Sequence, residues 1–207
     1  MISHNCRNLI FGLGLLISII FVSNLWAEEN SLSLDSFEGK IDKSTVDFGA
    51  AAGSSIQVEA DRTQKACGEQ SLKMTYSLQE GGYMFCARGQ GLDVATATWD
   101  GQPGDQVNWS EYKAISFQLM DTRENNGPIA IDIKDSGKEI WRYLINNEQK
   151  DWTKITIPLD QFKVREDWQP STADGNRTLD FPIKSYQWEP KTPGEGVIYF
   201  DCVELSK

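Results

Sequence analysis

Apolar and polar residues alternate with a period of two along most of this chain. The clearest case sets Ile129, Ile131 and Ile133 against Ala130, Asp132 and Lys134. Successive side chains of a strand point to opposite faces, so one of these sets is core and the other is wet. The same alternation, rich in β-branched and aromatic residues, predicts strands at Leu32–Glu38, Ile56–Ala60, Ser71–Leu78, Tyr83–Ala87, Ala114–Asp121, Ile129–Lys134, Glu139–Ile145, Trp152–Ile157, Lys184–Glu189 and Val197–Leu205. Gly81-Gly82, Asn126-Gly127-Pro128 and Ser136-Gly137 fall between them as turns. No segment keeps a helical period, although Pro158–Phe162 suits one short turn. Many short strands in one chain predict an all-β fold, a jelly-roll β-sandwich of two antiparallel sheets. Two long loops, Arg88–Trp109 and Lys163–Phe181, interrupt the pattern. Loops of that length in a compact domain usually carry function or move.

The first residues follow a different rule. Arg7 is followed by an apolar run from Leu9 to Val22, then by Ser23, Asn24, Leu25, Trp26 and Ala27 and the acidic pair Glu28-Glu29. A basic start, a short apolar middle and a small residue before the cut make an export signal, with cleavage expected after Ala27. The run falls short of the roughly 20 apolar residues of a spanning helix, so no membrane span is expected after cleavage. This divides the chain into a signal peptide, residues 1–27, and one domain, residues 28–207, secreted or periplasmic.

Removing the signal changes the chemistry that remains. Loss of Arg7 takes 20 basic residues to 19 against 30 acidic ones, a net charge of −11. That balance argues against nucleic acid, which needs a basic face, and against anionic membrane surfaces. His4, the one histidine, leaves with the signal. Serine–histidine and cysteine–histidine catalysis and histidine-bound zinc leave with it. Nothing selects a pair of glycosidase carboxylates among the acids, so the expectation is a protein that is not an enzyme. Cys67, Cys86 and Cys202 remain. Outside the cytoplasm a Cys67–Cys86 bridge is one expectation and three small buried residues the other; spacing does not choose between them.

Candidate binding residues are those whose faces suit sugars: aromatic rings for stacking and planar polar groups for hydroxyls. Trp99 and Trp168 lie in the long loops. Tyr186 and Trp188 share one side of their strand, which is either core or a sugar platform. Trp109 and Trp152 precede strands and are assigned to the core. In Glu139–Leu144, Trp141 and Tyr143 take one face and Ile140, Arg142 and Leu144 the other. Arg142 is placed to meet Asp132 or Lys134 of the neighbouring strand, as a binding patch or as an ordinary surface ion pair. Tyr83, beside Gly81-Gly82, completes the set.

Several segments in order carry a resemblance: Leu34-Asp35-Ser36-Phe37-Glu38; Gly68 with Ser71-Leu72-Lys73 and Tyr76; Trp109 to Phe117; Trp152 to Phe162; and the closing strand Val197 to Val203. Together they resemble the galactose-binding-like jelly-roll modules, nearest to carbohydrate-binding module family 11 and to the domain of complex I intermediate-associated protein 30. The resemblance spans about Leu34 to Leu205. It implies a non-catalytic domain that binds a glycan along the concave face of one sheet. A structural calcium ion near the chain ends is also implied, with Glu38 and Asp201 as its ligands, unless Lys40 satisfies Glu38 instead. The second relative implies an alternative, an interaction or assembly domain whose partner is a separate envelope protein. Such modules are commonly fused to a glycoside hydrolase, for which this chain has no room, so it is expected to act alone or beside a partner.

Overall fold

A computed structural model describes residues 31–125, 127–146 and 150–207; the expected signal peptide lies outside the described residues. The elements run β1 (Ser31–Asp35), β2 (Asp47–Ala51), β3 (Ser55–Asp61), β4 (Ser71–Leu78), β5 (Tyr83–Gly89), β6 (Ala114–Asp121), β7 (Ile129–Lys134), β8 (Ile140–Ile145), β9 (Thr153–Pro158), β10 (Lys163–Val164), β11 (Ser185–Pro190) and β12 (Gly194–Ser206). Every pairing is antiparallel. The first sheet has the order β3-β4-β12-β6-β9, with β1 also paired to β12; the second has the order β10-β8-β7-β11-β5-β2. All ten predicted strands are present. β2 and β10 were not predicted, and the expected turn is a 3-10 turn at Leu159–Gln161.

The two sheets meet through inward-facing rings. Trp188 of β11 lies on Phe200 of β12 with ring centroids 4.0 Å apart and planes at 15°. Phe117 of β6 meets the same indole edge-on at 5.6 Å. Tyr186, two residues before Trp188, stacks on Trp99 at 6.0 Å and 7°. Trp99 also donates its indole N–H to the carbonyl of Gln102. All three candidates are therefore core: Trp188, Tyr186 and Trp99 are 0%, 1% and 5% exposed. A loop indole has folded inward to extend an aromatic layer, which removes far more apolar area from water than a loop position would suggest. Trp109 is buried as expected. Trp152 is not; it is half-buried on the outer side of the first sheet, edge-on to Tyr199 at 6.4 Å.

One ionic group is sealed inside this layer. The Asp35 carboxylate receives Nε and Nη2 of Arg88 at 2.8 and 3.1 Å, the Tyr186 hydroxyl at 2.8 Å and the Phe37 amide at 3.2 Å. Arg88 also donates to the carbonyl of Thr45 at 2.6 Å. Every contact of the carboxylate is a donor, which is the condition under which a buried charge is tolerated. The set ties β1, β5, β11 and the connection before β2 to one point.

A covalent bridge ties the connection between β3 and β4 to β12. Cys67 and Cys202 form a disulfide across 135 residues of sequence, with Cα atoms 6.4 Å apart. The expected Cys67–Cys86 bridge is thus corrected. Cys86 faces the core on β5, and burial pushes its thiol up to about 12, which leaves it an inert hydrophobe. Asp201, beside the bridge, accepts the amides of Ala66 and Cys67 on Oδ2, at 2.8 and 3.0 Å, and that of Cys202 on Oδ1 at 2.9 Å. Glu38 accepts the amides of Glu69 and Gln70 on Oε1. The turn that allows this needs glycine at position 68: its φ is +58°, and a Cβ there would stand 1.9 Å from Glu38 Oε1. Lys40 pairs with Asp42 rather than with Glu38.

Both carboxylates expected to hold calcium are thus aimed at N–H groups. Calcium takes six to eight oxygen ligands, and N–H donors repel it. The neighbouring sulfurs of Cys67 and Cys202 are spent in the bridge. The N–H groups take Glu38 Oε1 and both Asp201 oxygens, which leaves Glu38 Oε2, among the described residues, as the one carboxylate oxygen of the pair without a donor; these two side chains alone do not supply the six to eight ligands of the ion.

Three outcomes follow. Non-reduced peptide mapping will link Cys67 to Cys202 and find Cys86 alkylated only after unfolding; Cys202→Ser will cost about 2–5 kcal/mol in urea denaturation. Tyr186→Phe, which takes one donor from buried Asp35, will cost about 1–3 kcal/mol in the same measurement. A chelator will leave Tm unchanged, because the Glu38–Asp201 region is held by N–H donors and a covalent bridge.

Candidate functional site

Because Trp188 and Tyr186 point inward, Ser185, Gln187 and Glu189 point outward. The outer face of the second sheet is built by that parity on every strand. Its central row reads Arg142, Asp132, Gln187, Ala87 and Asp47 across β8, β7, β11, β5 and β2. A neighbouring row holds Leu144, Ala130 and Glu189, and Phe85 lies over Gly49. A Cβ at Gly49 would come 3.1 Å from the Phe85 ring, so glycine lets that ring lie across the edge strand.

Two arginines share two carboxylates at the middle of this face. Arg142 donates Nε to Asp132 Oδ1 at 2.7 Å and Nη2 to Asp132 Oδ2 at 2.8 Å and Glu189 Oε2 at 2.7 Å. Arg165, just past β10, donates Nη1 to Asp132 Oδ2 at 3.0 Å and Glu189 Oε1 at 2.9 Å. Gln187 adds its amide to Glu189 at 2.7 Å, and Lys191 pairs with the same residue at 3.2 Å. Asp132 is 1% exposed, so this is not the solvated pair of an ordinary strand surface. Burial raises the Asp132 carboxyl above its usual range, and the Arg142 hydrogen bonds pull it back. The result is a flat, rigid array of planar groups whose positions are fixed before any ligand arrives.

The rim of the face is apolar. Trp168 is 56% exposed and lies with the Arg165 guanidinium 5.6 Å from its ring centroid. The cation that pairs the floor carboxylates therefore also holds the exposed indole. Leu144 is exposed on β8, and Tyr83 is exposed on β5 near the far edge of the same face.

The structure brings Asp132, Arg142, Trp168 and Tyr83 to one face. Lys134 shares that face but is drawn to the carbonyl of Gly91 at 3.3 Å, away from Arg142. Burial lowers its pKa, an effect opposed by Asp93 and Asp47. Trp99, Tyr186 and Trp188 are in the core, and Glu38 and Asp201 belong to the disulfide region of the chain. Sequence reasoning missed Glu189, Gln187 and Arg165. Glu189 and Gln187 had a signal: they alternate with Tyr186 and Trp188. Arg165 had none, because its place depends on how the loop after β10 folds back.

The comparisons with known proteins agree with this architecture. No curated protein sequence matches the chain. Among solved structures, the family 11 carbohydrate-binding module of the cellulosomal cellulase Lic26A-Cel5E of Clostridium thermocellum is similar, at 22% identity and a TM-score of 0.65, over 85% of this chain and 94% of that one. The family 11 module of the same organism in complex with a β-1,3-1,4-mixed-linked tetrasaccharide matches at 22% identity and 0.66, over 86% and 95%. A family 30 module of the C. thermocellum cellulosomal cellulase Cel9D-Cel44B shares the fold more distantly, at 13% identity and 0.58, over 86% and 97%. The sequence model described as carbohydrate binding domain (family 11) matches residues 26–206. The chain belongs to carbohydrate binding domain family 11.

Proposed function

We propose that this chain is an exported, non-catalytic module that binds a neutral glycan on the outer face of its second sheet. The observation that carries the reading is the joint placement of Trp168 and the Arg142–Asp132–Glu189–Arg165 array. An exposed indole supplies a stacking surface for a sugar ring. The array beside it offers fixed donors and acceptors for hydroxyls, and a pre-formed site avoids the entropy cost of ordering side chains on binding. Its arginines are already neutralised by Asp132, Glu189 and Asp167, so they offer polarity without a free positive charge. That favours a neutral sugar over a uronic acid. The mixed-linked tetrasaccharide bound by a family 11 relative belongs to the same chemical class. Only one indole is exposed among the described residues, so recognition relies on the polar array more than on a ladder of rings. Work outside the cytoplasm is supported by the export pattern of residues 1–27 and by a disulfide that an oxidising compartment preserves.

Affinity electrophoresis in gels containing soluble β-glucan, xylan or galactomannan tests the reading. Retardation is expected in at least one. Trp168→Ala will weaken that binding by roughly 30-fold while leaving Tm in place, since truncating an anchoring indole costs about 2 kcal/mol. Mobility unchanged in all three gels, together with a stoichiometric protein captured from the native envelope fraction, would favour the assembly role over glycan binding. Binding should also hold through neutral pH and fall on acidification. Protonating Asp132 frees Arg142 from the array, and because burial raises that carboxyl the midpoint should lie above the ordinary aspartate value of 3.8. A pH series of the same electrophoresis reads it.

A further inference from the structure

The opposite sheet carries a second feature that the reading above does not use. An open groove of about 660 Å³ crosses β3, β4 and β12 on the outer side of the first sheet. Its floor is the backbone around Ile56, Tyr76 and Gly196, which are paired with one another across the three strands. One wall is the row Ser55, Ser77 and Glu195; the other is the row Gln57, Thr75 and Val197. Rows two residues apart on a strand stand about 6.7 Å from each other, and adjacent strands are about 4.8 Å apart. The groove therefore runs across the strands as a trough of nearly constant width.

Its floor is backed by a rigid group on the core side. Arg123, in the connection between β6 and β7, is buried with its guanidinium on Asp121 at 2.6 and 2.8 Å and on the carbonyl of Gly127 at 2.7 Å. Gly196 makes room for it, since a Cβ there would come 2.4 Å from Arg123 Cγ. Thr122 closes the corner by donating to the carbonyl of Val197 at 2.8 Å.

The chemistry of the walls differs from that of the second sheet. There the polar groups satisfy one another. Here Gln57 donates to Glu59 at 3.2 Å and Ser77 accepts from Gln79 at 3.1 Å, but among the described residues the Ser55 and Thr75 hydroxyls and the Glu195 carboxylate make no hydrogen bond or ion pair within the protein. Exposed hydroxyls, an amide and a carboxylate set at strand spacing match a ligand that presents regularly spaced hydroxyls. Among the described residues no unpaired cation lines the trough: Arg123 is spent on Asp121, and Lys73, one row on, is spent on Glu59. An anionic ligand is thereby disfavoured. On the side beyond Val197, Tyr199 and Trp152 form an aromatic step. We infer that this groove is a second binding site for a neutral glycan chain, so that the module holds two chains on opposite faces. The ligand class rests on the proposed function; the site does not.

Backbone amide NMR on the folded domain separates the two sites. The probes are cellohexaose, xylohexaose and mannohexaose, with oligogalacturonate as the acidic control. For a neutral hexaose that binds, shifts are expected in two groups: residues 55–57, 75–77 and 195–197, and residues 130–144 with 187–189. A Gln57→Ala, Glu195→Ala double variant, both positions exposed, should weaken the first group's response by about tenfold and leave the second unchanged. Trp168→Ala should do the reverse. Shifts confined to the second group overturn the groove and leave the proposed function standing. Shifts confined to the first retain the groove and overturn the second-sheet site. A groove that answers only to oligogalacturonate overturns its neutral-glycan assignment, and silence in both groups removes both readings.

Discussion

The stack of Trp188 on Phe200 is the contact from which the polar outer face of the second sheet follows. It sits where β11 of one sheet faces β12 of the other, with Phe117 closing its edge. A strand has only two faces, and a slip of one residue would exchange them. Burying Trp188 and Tyr186 thus leaves no choice for Gln187 and Glu189, which turn outward beside Asp132 and Arg142. A fully buried indole thus sets the address of the Asp132–Glu189 cluster. A polar array assembled on flexible loops would spend part of its binding energy on ordering; this one is ordered by the core beneath it.

The two ionic clusters serve different ends. Asp35 with Arg88 and Tyr186 is sealed, and its value is to fix where the opening strand docks; apolar residues of similar volume would often be as stable there. Asp132 and Glu189 with Arg142 and Arg165 are buried below and open above. Each carboxylate is bridged by both arginines, so the geometry of the array does not rest on one pair. That redundancy suits a surface that must stay flat when a ligand displaces water from it.

Strand positions were legible because β7, β4 and β6 alternate cleanly, and Arg142 opposite Asp132 followed from pairing those strands. Period two shows which side chains share a face but not which face is inside. Tyr186 and Trp188 were therefore ambiguous until Phe200 and Trp99 were seen stacked on them. The polar character of Gln187 and Glu189 was the available clue. Trp99 misled because an irregular backbone does not require an exposed side chain. β2, with the sequence Asp-Phe-Gly-Ala-Ala, lacks the β-branched residues that mark a strand and pairs only because Gly49 and Ala50 fit under β5. The disulfide joins residues 135 apart in the chain, and no local pattern carries that information. Glu38 and Asp201 were found as a place but not as a chemistry, because the amides that face them belong to a turn whose shape depends on Gly68.

The Cys67–Cys202 bridge has a mechanical meaning as well as a thermodynamic one. β12 is a central strand of the first sheet, hydrogen-bonded to β4 and β6. Tension applied beyond its C-terminal end would peel residues 203–206 from their neighbours and then reach Cys202, where the load passes through a covalent bond to the loop that leads into β4. Further peeling of β12 must then load the connection at Cys67 as well. The hydrogen bonds of β12 that precede Cys202 are thereby shielded from a pull on its C-terminal end.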